Sequence, residues 1–171
     1  LDEAVELREN GILAPILILG YTPKEDYPVV VRNDITQTIY SYEQAKNLSD
    51  IALLLNKTAK VHIKVDSGMC RIGFKTEMDS LEEIKNIASL SGLEIEGIFT
   101  HFANADASDK SYSKLQLERF LRFCQEVEKA GVKVKFRHAA NSAAIIDLPE
   151  AHLDMVRPGI IIYGLYPSAE V

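Results

Sequence analysis

The sequence predicts an α/β fold, specifically part of a (β/α)8 (TIM) barrel, in which parallel strands alternate with helices. Short β-rich runs alternate along the chain with stretches of helical periodicity that carry their own start and stop signals. No GxGxxG follows a strand and no GxxxxGK[ST] occurs, which disfavours an open, doubly wound nucleotide-binding sheet. A complete barrel has eight strands. Because only six β-rich runs occur, residues 1–171 are expected to form one incomplete barrel domain, about strands 3 to 8.

The chain opens on an apparent helix from Leu1 to Arg8, with Gly11 where a C-terminal cap would lie. We therefore expect a piece of a longer protein, in which two strands precede this helix. The six β-rich runs that follow are Ile16–Gly20, Thr36–Tyr40, Val61–Val65, Ile95–Phe99, Val134–Arg137 and Asp154–Val156.

Helical periodicity fills most of the intervals between these runs. Ser41 followed by Gln44 is a capping-box pattern, and Ser80 followed by Glu83 repeats it ahead of a helix that Gly92 would end. A longer helix is expected from about Asp109 to Ala130. This alternation of strands and helices is the pattern that requires parallel strands with crossover helices.

Composition limits the classes of function. The 171 residues contain 19 Lys+Arg against 25 Asp+Glu, a formal charge of −6, which argues against a nucleic-acid surface and favours a small ligand. The longest apolar runs fall well short of the roughly 20 residues that cross a bilayer, so no membrane span is expected. Cys70 and Cys124 have no CxxC spacing, so neither a disulfide framework nor a metal site is suggested and a reducing cytoplasm is the default location.

The segment from His62 to Phe74 carries the most chemistry. Strand alternation places His62, Lys64 and Asp66 on one face, which is either the interior of a barrel or the solvated face of an edge strand. Gly68 follows where a strand would end, and barrel enzymes build their sites at that end. A buried Lys64 close to Arg71 needs a negative partner: a carboxylate, a ligand or a modified lysine.

Three later strand ends also carry polar groups. His101 follows one strand, although a lone histidine is also compatible with a structural role. Asn141 and Ser142 begin a short helical turn, which is either a plain cap or an anion site. Arg157 ends the last β-rich run, and Gly159 permits close backbone approach to a ligand. A phosphate near Ser142 and Gly159 suits the last two strands of a barrel.

Four of these motifs resemble the alanine racemase family of pyridoxal phosphate enzymes, in the correct order over essentially the whole chain. The motifs are Lys64-Val65-Asp66-Ser67-Gly68-Met69-Cys70-Arg71-Ile72-Gly73, Thr100-His101-Phe102-Ala103, His138-Ala139-Ala140-Asn141-Ser142 and Met155-Val156-Arg157-Pro158-Gly159. The resemblance implies a barrel that binds pyridoxal 5′-phosphate at its mouth, a second β-rich domain, and active sites completed across a homodimer.

The resemblance also implies residue roles. Arg157 would hydrogen-bond the pyridine nitrogen of the cofactor; because an arginine does not give up its proton, that nitrogen would stay unprotonated and the ring would be a weaker electron sink. Arg71 would contact the phenolic oxygen and the substrate carboxylate, and Lys64 would carry a carbamate. The implied catalytic set is Lys64, Arg71, His101 and Arg157, and the cofactor-binding set is Arg71, His101, Asn141, Ser142, Arg157, Gly159 and Ile160.

In this family the Schiff-base lysine lies on the first barrel strand, and the opposing base is a tyrosine in the C-terminal domain of the partner subunit. None of the seven tyrosines here matches that base. We expect the parent protein to interconvert L- and D-alanine by two-base proton transfer, supplying D-alanine for peptidoglycan, and the 171-residue piece to be inactive alone. The alternatives are a serine-preferring or broad-specificity racemase and a non-catalytic pyridoxal phosphate carrier.

Overall fold

Five parallel strands form an open half-barrel sheet whose spatial order follows the chain. The computed structural model describes residues 1–171. The sheet order is β1-β2-β3-β5-β6, and β4 pairs with the end of β3 beside this path. Every neighbouring pair is parallel, so the carboxyl ends of the strands meet at one edge. The strands are β1 (Leu17–Ile18), β2 (Thr36–Ile39), β3 (Ala59–Asp66), β4 (Phe74–Lys75), β5 (Leu93–Phe99) and β6 (Phe136–His138).

Helices occupy the connections between strands, as the alternating sequence pattern predicts. They are α1 (Asp2–Glu9), α2 (Tyr27–Arg32), α3 (Tyr42–Leu54), α4 (Met78–Ala88), α5 (Ser111–Lys129) and α6 (Ser142–Asp147). Three short 3₁₀ turns complete the list: Lys24–Asp26, Pro149–Ala151 and Ile160–Tyr163. None of these helices combines the length and apolar character that a membrane crossing requires.

The two faces of β3 are both buried but differ in chemistry. Val61, Ile63 and Val65 are fully buried members of the hydrophobic core. His62 and Lys64, on the opposite face, are each only 3% exposed. The solvated edge strand is therefore the wrong alternative, because β3 is a central strand that pairs with β2 and β5. Its polar face points into the half-barrel.

The last β-rich run is not a strand, which corrects one of the six expected strands while the number of strands stays at six. Asp154–Val156 lies beside β6 and makes only isolated backbone contacts there, from Asp154 N to Arg137 O at 3.1 Å and from Arg157 N to Ala140 O at 3.0 Å. Leu153, at a positive φ of 49°, and Pro158 bound the segment, so no continuous ladder develops. The additional strand is instead β4, too short to stand out in the sequence.

One predicted capping box is confirmed and the other is wrong. Ser41 caps α3, and its Oγ accepts from Gln44 N at 3.3 Å. Ser80, by contrast, lies inside α4 and does not cap it. The helix begins after Glu77, because Leu81 N donates to Glu77 O at 3.2 Å and closes the first turn before Ser80 could act as a cap. That helix also ends at Ala88, before Gly92.

Candidate active site

The carboxyl edge of the sheet opens into a cavity of about 540 Å³, large enough for a small-molecule ligand. Every residue that the sequence singled out as a candidate lines it, although β3, β5, β6 and the segments after them are distant in sequence. The eight residues are Lys64, Arg71, His101, Asn141, Ser142, Arg157, Gly159 and Ile160. Parallel strands explain this convergence, because their carboxyl ends share one edge.

Lys64 presents a buried amine to this cavity. Its Nζ has one hydrogen-bond partner, the carbonyl of Val65 at 3.3 Å, and lies 5.1 Å from the centre of the Phe99 ring. Burial, with a smaller contribution from the charge of Arg157, lowers the pKa of Lys64 from 10.5 to about 7. No carboxylate of this chain hydrogen-bonds the amine, so the expected negative partner is not among the hydrogen-bond partners of Lys64 in this chain.

Asp66 organises the loop that carries Arg71. Its Oδ1 accepts from the backbone N–H of Gly68 at 2.9 Å and of Cys70 at 3.0 Å, and its Oδ2 accepts from Arg71 N at 3.0 Å. Burial alone would raise the pKa of Asp66, but these N–H donors outweigh burial and hold the pKa below its usual value. The loop is therefore pinned from the strand end, while the side chain of Arg71 stays exposed at the cavity.

Arg157 is held by three acceptors at the ends of β5 and β6. Its Nη1 donates to His138 Nδ1 at 2.7 Å, and its Nη2 donates to Thr100 O at 2.8 Å and Ala139 O at 3.0 Å. Those contacts use three of the five N–H groups of a guanidinium. Burial lowers the pKa of Arg157 to about 10, so the group stays charged at neutral pH. It has no salt bridge within the chain.

His101 is a weaker partner of Arg157 than expected. Its Nδ1 lies 3.4 Å from Arg157 Nη2, longer than a typical N–H contact. His138, for which the sequence suggested no role, makes the shorter contact. His62 was noted on the polar face of β3 but likewise received no role, and its Nδ1 lies 2.8 Å from His138 Nε2. Two features of the sequence could have indicated roles for these histidines. His62 shares a strand face with Lys64, and His138 lies at the end of a strand.

Asn141 and Ser142 form the start of α6, as the sequence indicates. Asn141 Oδ1 accepts from Ala144 N at 3.1 Å and caps the helix. Ser142 Oγ accepts from Gly159 N at 2.9 Å, which ties the α6 start to the segment after Arg157. Because the hydroxyl oxygen acts as an acceptor in this contact, its own proton is free for donation to an anion in the cavity.

The fold and the cavity define a class: an α/β barrel protein with a cationic small-molecule site at the carboxyl ends of its strands. Within that class, the family model described as alanine racemase, N-terminal domain, matches residues 1–167. The chain belongs to this family. No group of three or more His, Cys, Asp and Glu residues in the chain is arranged so that it could hold a metal ion.

Similar proteins agree in sequence and structure. The chain is 53% identical to an alanine racemase of Clostridium tetani over 171 residues, covering 100% of the chain and 44% of that protein. It is 54% identical to one of Methanococcus maripaludis over 166 residues, covering 97% of the chain and 44% of that protein. A solved alanine racemase of Clostridium difficile 630 superposes with a TM-score of 0.98 at 47% identity, covering 99% and 44% of the two chains.

A second similar structure was solved with a bound ligand. The alanine racemase of Bacillus anthracis, solved with bound L-Ala-P, matches with a TM-score of 0.92 at 40% identity, over 99% of this chain and 44% of that one. The chain therefore spans less than half the length of the relatives it matches. Its half-barrel corresponds to part of their barrel domain.

Proposed function

We propose that this chain is the cofactor-binding half-barrel of a pyridoxal phosphate-dependent alanine racemase. The observation that carries the proposal is the cavity, in which Arg157, Arg71 and Lys64 present cationic or amine groups that no carboxylate of the chain pairs by hydrogen bond or salt bridge. Such a site favours an anionic ligand. Residues outside these 171 would supply the lysine that holds the cofactor and the tyrosine base of a partner subunit.

The residues present fit pyridoxal 5′-phosphate at both of its ends. The Ser142 hydroxyl, with its proton free, and the backbone N–H of Ile160 would hold the phosphate beside Asn141, while Gly159, whose N–H donates to Ser142 Oγ, would permit its close approach. Arg157, with two N–H groups left over from its contacts with the protein, would donate to the pyridine nitrogen. When bound, the cofactor supplies an electron-withdrawing ring that acidifies the Cα proton of an attached amino acid.

Each side chain of this half-barrel then has a physical task. Arg157 keeps its proton at neutral pH, so it would donate to the ring nitrogen without protonating it, which would leave the ring a moderate electron sink. Arg71, placed by the Asp66-pinned loop, would bind the substrate carboxylate. His101 would support Arg157 through its longer contact.

Lys64 would act as a carbamate. Its lowered pKa leaves a large fraction of neutral amine near pH 7, and that amine can attack carbon dioxide: a C–N bond forms, one C=O π bond opens and one N–H proton leaves to solvent. The product is an anion. It would attract Arg71 and Arg157 and supply the negative partner that the chain itself lacks.

The whole protein is proposed to be a homodimer in the cytoplasm that interconverts L- and D-alanine by a two-base mechanism and supplies D-alanine for peptidoglycan. The similarity to relatives named alanine racemase supports this activity, and a complex of one such relative with cycloserine supports an amino-acid-sized ligand. The 171-residue piece alone is proposed to be inactive, because both bases lie outside it.

The test is formation of D-alanine from L-alanine by the full-length protein with added pyridoxal phosphate, beside the same assay with serine. Turnover of alanine in preference to serine supports the proposal, and faster serine turnover would identify a serine racemase instead. A cofactor absorbance band without turnover of either amino acid would indicate a carrier. The Arg157→Glu variant tests the cation at the ring nitrogen, and normal racemisation by that variant would contradict its role.

A further inference from the structure

A continuous line of buried polar side chains leads away from Arg157 into the half-barrel. His138 Nδ1 lies 2.7 Å from Arg157 Nη1, and His138 Nε2 lies 2.8 Å from His62 Nδ1. His62 Nε2 lies 3.8 Å from Glu96 Oε2, and the other carboxylate oxygen of Glu96 lies 3.1 Å from Lys60 Nζ. The line thus joins β3, β5 and β6 through their inward faces.

The hydrogen-bonding chemistry fixes where the protons of this line lie. A guanidinium can only donate, so His138 Nδ1 must accept and carry no proton. A neutral His138 then holds its proton on Nε2 and donates to His62 Nδ1. His62 in turn holds its proton on Nε2, which faces the Glu96 carboxylate. The bonding N–H of Arg157 and the imidazole N–H groups of His138 and His62 therefore all point from Arg157 toward Glu96.

The backbone is shaped to permit this arrangement. The pairing of β3 with β5 shifts register between Val61 and His62, because Val61 pairs with Ile95 whereas His62 pairs with Gly97. Glu96 is the residue skipped. At Gly97 an added Cβ would lie 2.6 Å from the His62 ring, so only glycine leaves room for that imidazole. The His138 ring is also stacked on Phe99, with centroids 4.6 Å apart and planes within 5°.

Both imidazoles are neutral at physiological pH, as this proton assignment requires. Burial lowers the pKa of His62 from 6.5 to about 4, although Glu96 opposes the shift. Burial, together with the charge of Arg157, lowers the pKa of His138 from 6.5 to about 2. Neutral imidazoles have two tautomers. The wrong tautomer of His138 would set an N–H against the N–H of Arg157.

We propose that His62 and Glu96 are positioning residues: through His138 they hold Arg157 in one orientation, with its remaining N–H groups directed to the ligand. His62 does so as the acceptor that keeps the His138 proton on Nε2. Glu96 does so as a negative charge that favours the His62 proton on its own Nε2. Neither residue lines the cavity, so their effect on a ligand is indirect. The tautomer assignment stands on this chain alone, whereas the effect on catalysis rests on the proposed function.

Neutron diffraction from crystals of the full-length holoenzyme grown in heavy water tests the assignment directly. We expect deuterium on Nε2 of both His62 and His138 and on neither Nδ1. Deuterium on His138 Nδ1, alone or together with Nε2, would overturn the proposal. This readout requires no enzymatic activity, so it decides the tautomers even if the protein proves not to be a racemase.

Substitution of His62 separates an acceptor from a ring that merely fills space. His62→Phe preserves the ring shape but removes the acceptor, and we expect the Kd for pyridoxal phosphate to rise and kcat/KM to fall by about tenfold each, the scale of one buried hydrogen bond. His62→Gln restores an acceptor oxygen and should recover most of both losses. Equal losses in the two variants would show that only packing matters and would contradict the proposal.

Glu96 has a matched control on its own strand. Glu96→Leu should move the His62 proton away from Nε2 and raise the Kd for pyridoxal phosphate. Glu96→Gln retains an acceptor and should have a smaller effect on the proton position and on the Kd. Glu94→Leu alters an exposed carboxylate of β5 and should leave both unchanged. If Glu96→Leu keeps the wild-type tautomers and cofactor affinity, Glu96 has no positioning role.

Discussion

His138 Nδ1 lies 2.7 Å from Arg157 Nη1, and this contact joins a ligand-facing cation to a neutral imidazole in the interior of the half-barrel. Arg157 is therefore not a free surface charge that could turn toward any anion. Two backbone carbonyls at strand ends hold its other terminal nitrogen. A fixed guanidinium has less orientational freedom to lose when it binds a ligand, which favours affinity and defined geometry.

Gly97→Ala should destabilise the full-length protein, because the new Cβ would lie 2.6 Å from the His62 ring and force that ring to move. We expect a loss of about 1–3 kcal/mol in the free energy of unfolding, the usual cost of overpacking a filled interior. Urea unfolding measures it. Gly20→Ala is the control, since nothing lies within 4 Å of its Cβ position. Equal stability of the two variants would contradict the packing of His62 against β5.

Asp66→Asn should weaken substrate binding without greatly changing stability. An amide retains one acceptor oxygen but replaces the other with an NH₂ group, which would face the Arg71 N–H now bonded at 3.0 Å. The loop would then lose its anchor beside Arg71, and we expect KM for alanine to rise about tenfold, the scale of one such bond. Steady-state kinetics test it, with Asp79→Asn on the exposed face of α4 as the control. An unchanged KM would refute the anchoring role.

Stability should decrease as the pH falls below about 6.5. The unfolded chain protonates its histidines near pH 6.5, whereas burial lowers the folded pKa of His62 and His101 to about 4 and that of His138 to about 2. Between these values the unfolded state binds more protons, so the free energy of unfolding falls with falling pH. Urea unfolding at several pH values measures it. A stability that is flat from pH 6.5 to 4 would show that these imidazoles are solvated in the folded state.

Lys64 should bind carbon dioxide reversibly. In the full-length protein with ¹³C-labelled bicarbonate, we expect a carbamate resonance in the ¹³C NMR spectrum, because the pKa of Lys64 is lowered to about 7 and leaves reactive amine. Lys64→Arg should abolish the resonance, whereas Lys75→Arg, at an exposed lysine of β4, should leave it unchanged. Survival of the resonance in the first variant would assign it to another amine.

The isolated 171-residue chain should associate in solution. Strand β1 is an end strand of the sheet, and large apolar side chains such as Leu13 and Tyr163 are 91% and 81% exposed. Sedimentation velocity at increasing concentration should reveal oligomers. A monomer with a cooperative melt would show that the half-barrel is stable without additional strands.

The fold class could be predicted because strand alternation, helix caps and glycine stops are local signals. The sequence placed Lys64 on one strand face with His62 but left open whether that face is buried, which the central position of β3 in the sheet decides. The absence of a strand at Asp154–Val156 could not be predicted from a β-rich triplet, because a strand depends on hydrogen bonds from its neighbours rather than on its own composition.

The candidate cavity residues were accessible from the sequence, whereas the network behind them was not. Four motifs contain seven of the eight cavity residues with predicted roles, and the eighth, Ile160, directly follows the last motif; the parallel sheet brings them to one edge. The contact of His138 with His62 spans 76 positions in the sequence and depends on a register shift at Glu96. No periodicity encodes such a shift, so the line of side chains from Arg157 to Glu96 could not be predicted from the sequence.

The order of the sheet has a consequence for biosynthesis. Along β1, β2, β3, β5 and β6, each strand after β1 pairs with the strand that precedes it in that series. A ribosome releases the chain from its N-terminus, so every new strand emerges when its neighbour already exists. This half-barrel can thus grow strand by strand during translation, with the ligand-facing edge completed only when Arg157 has left the exit tunnel.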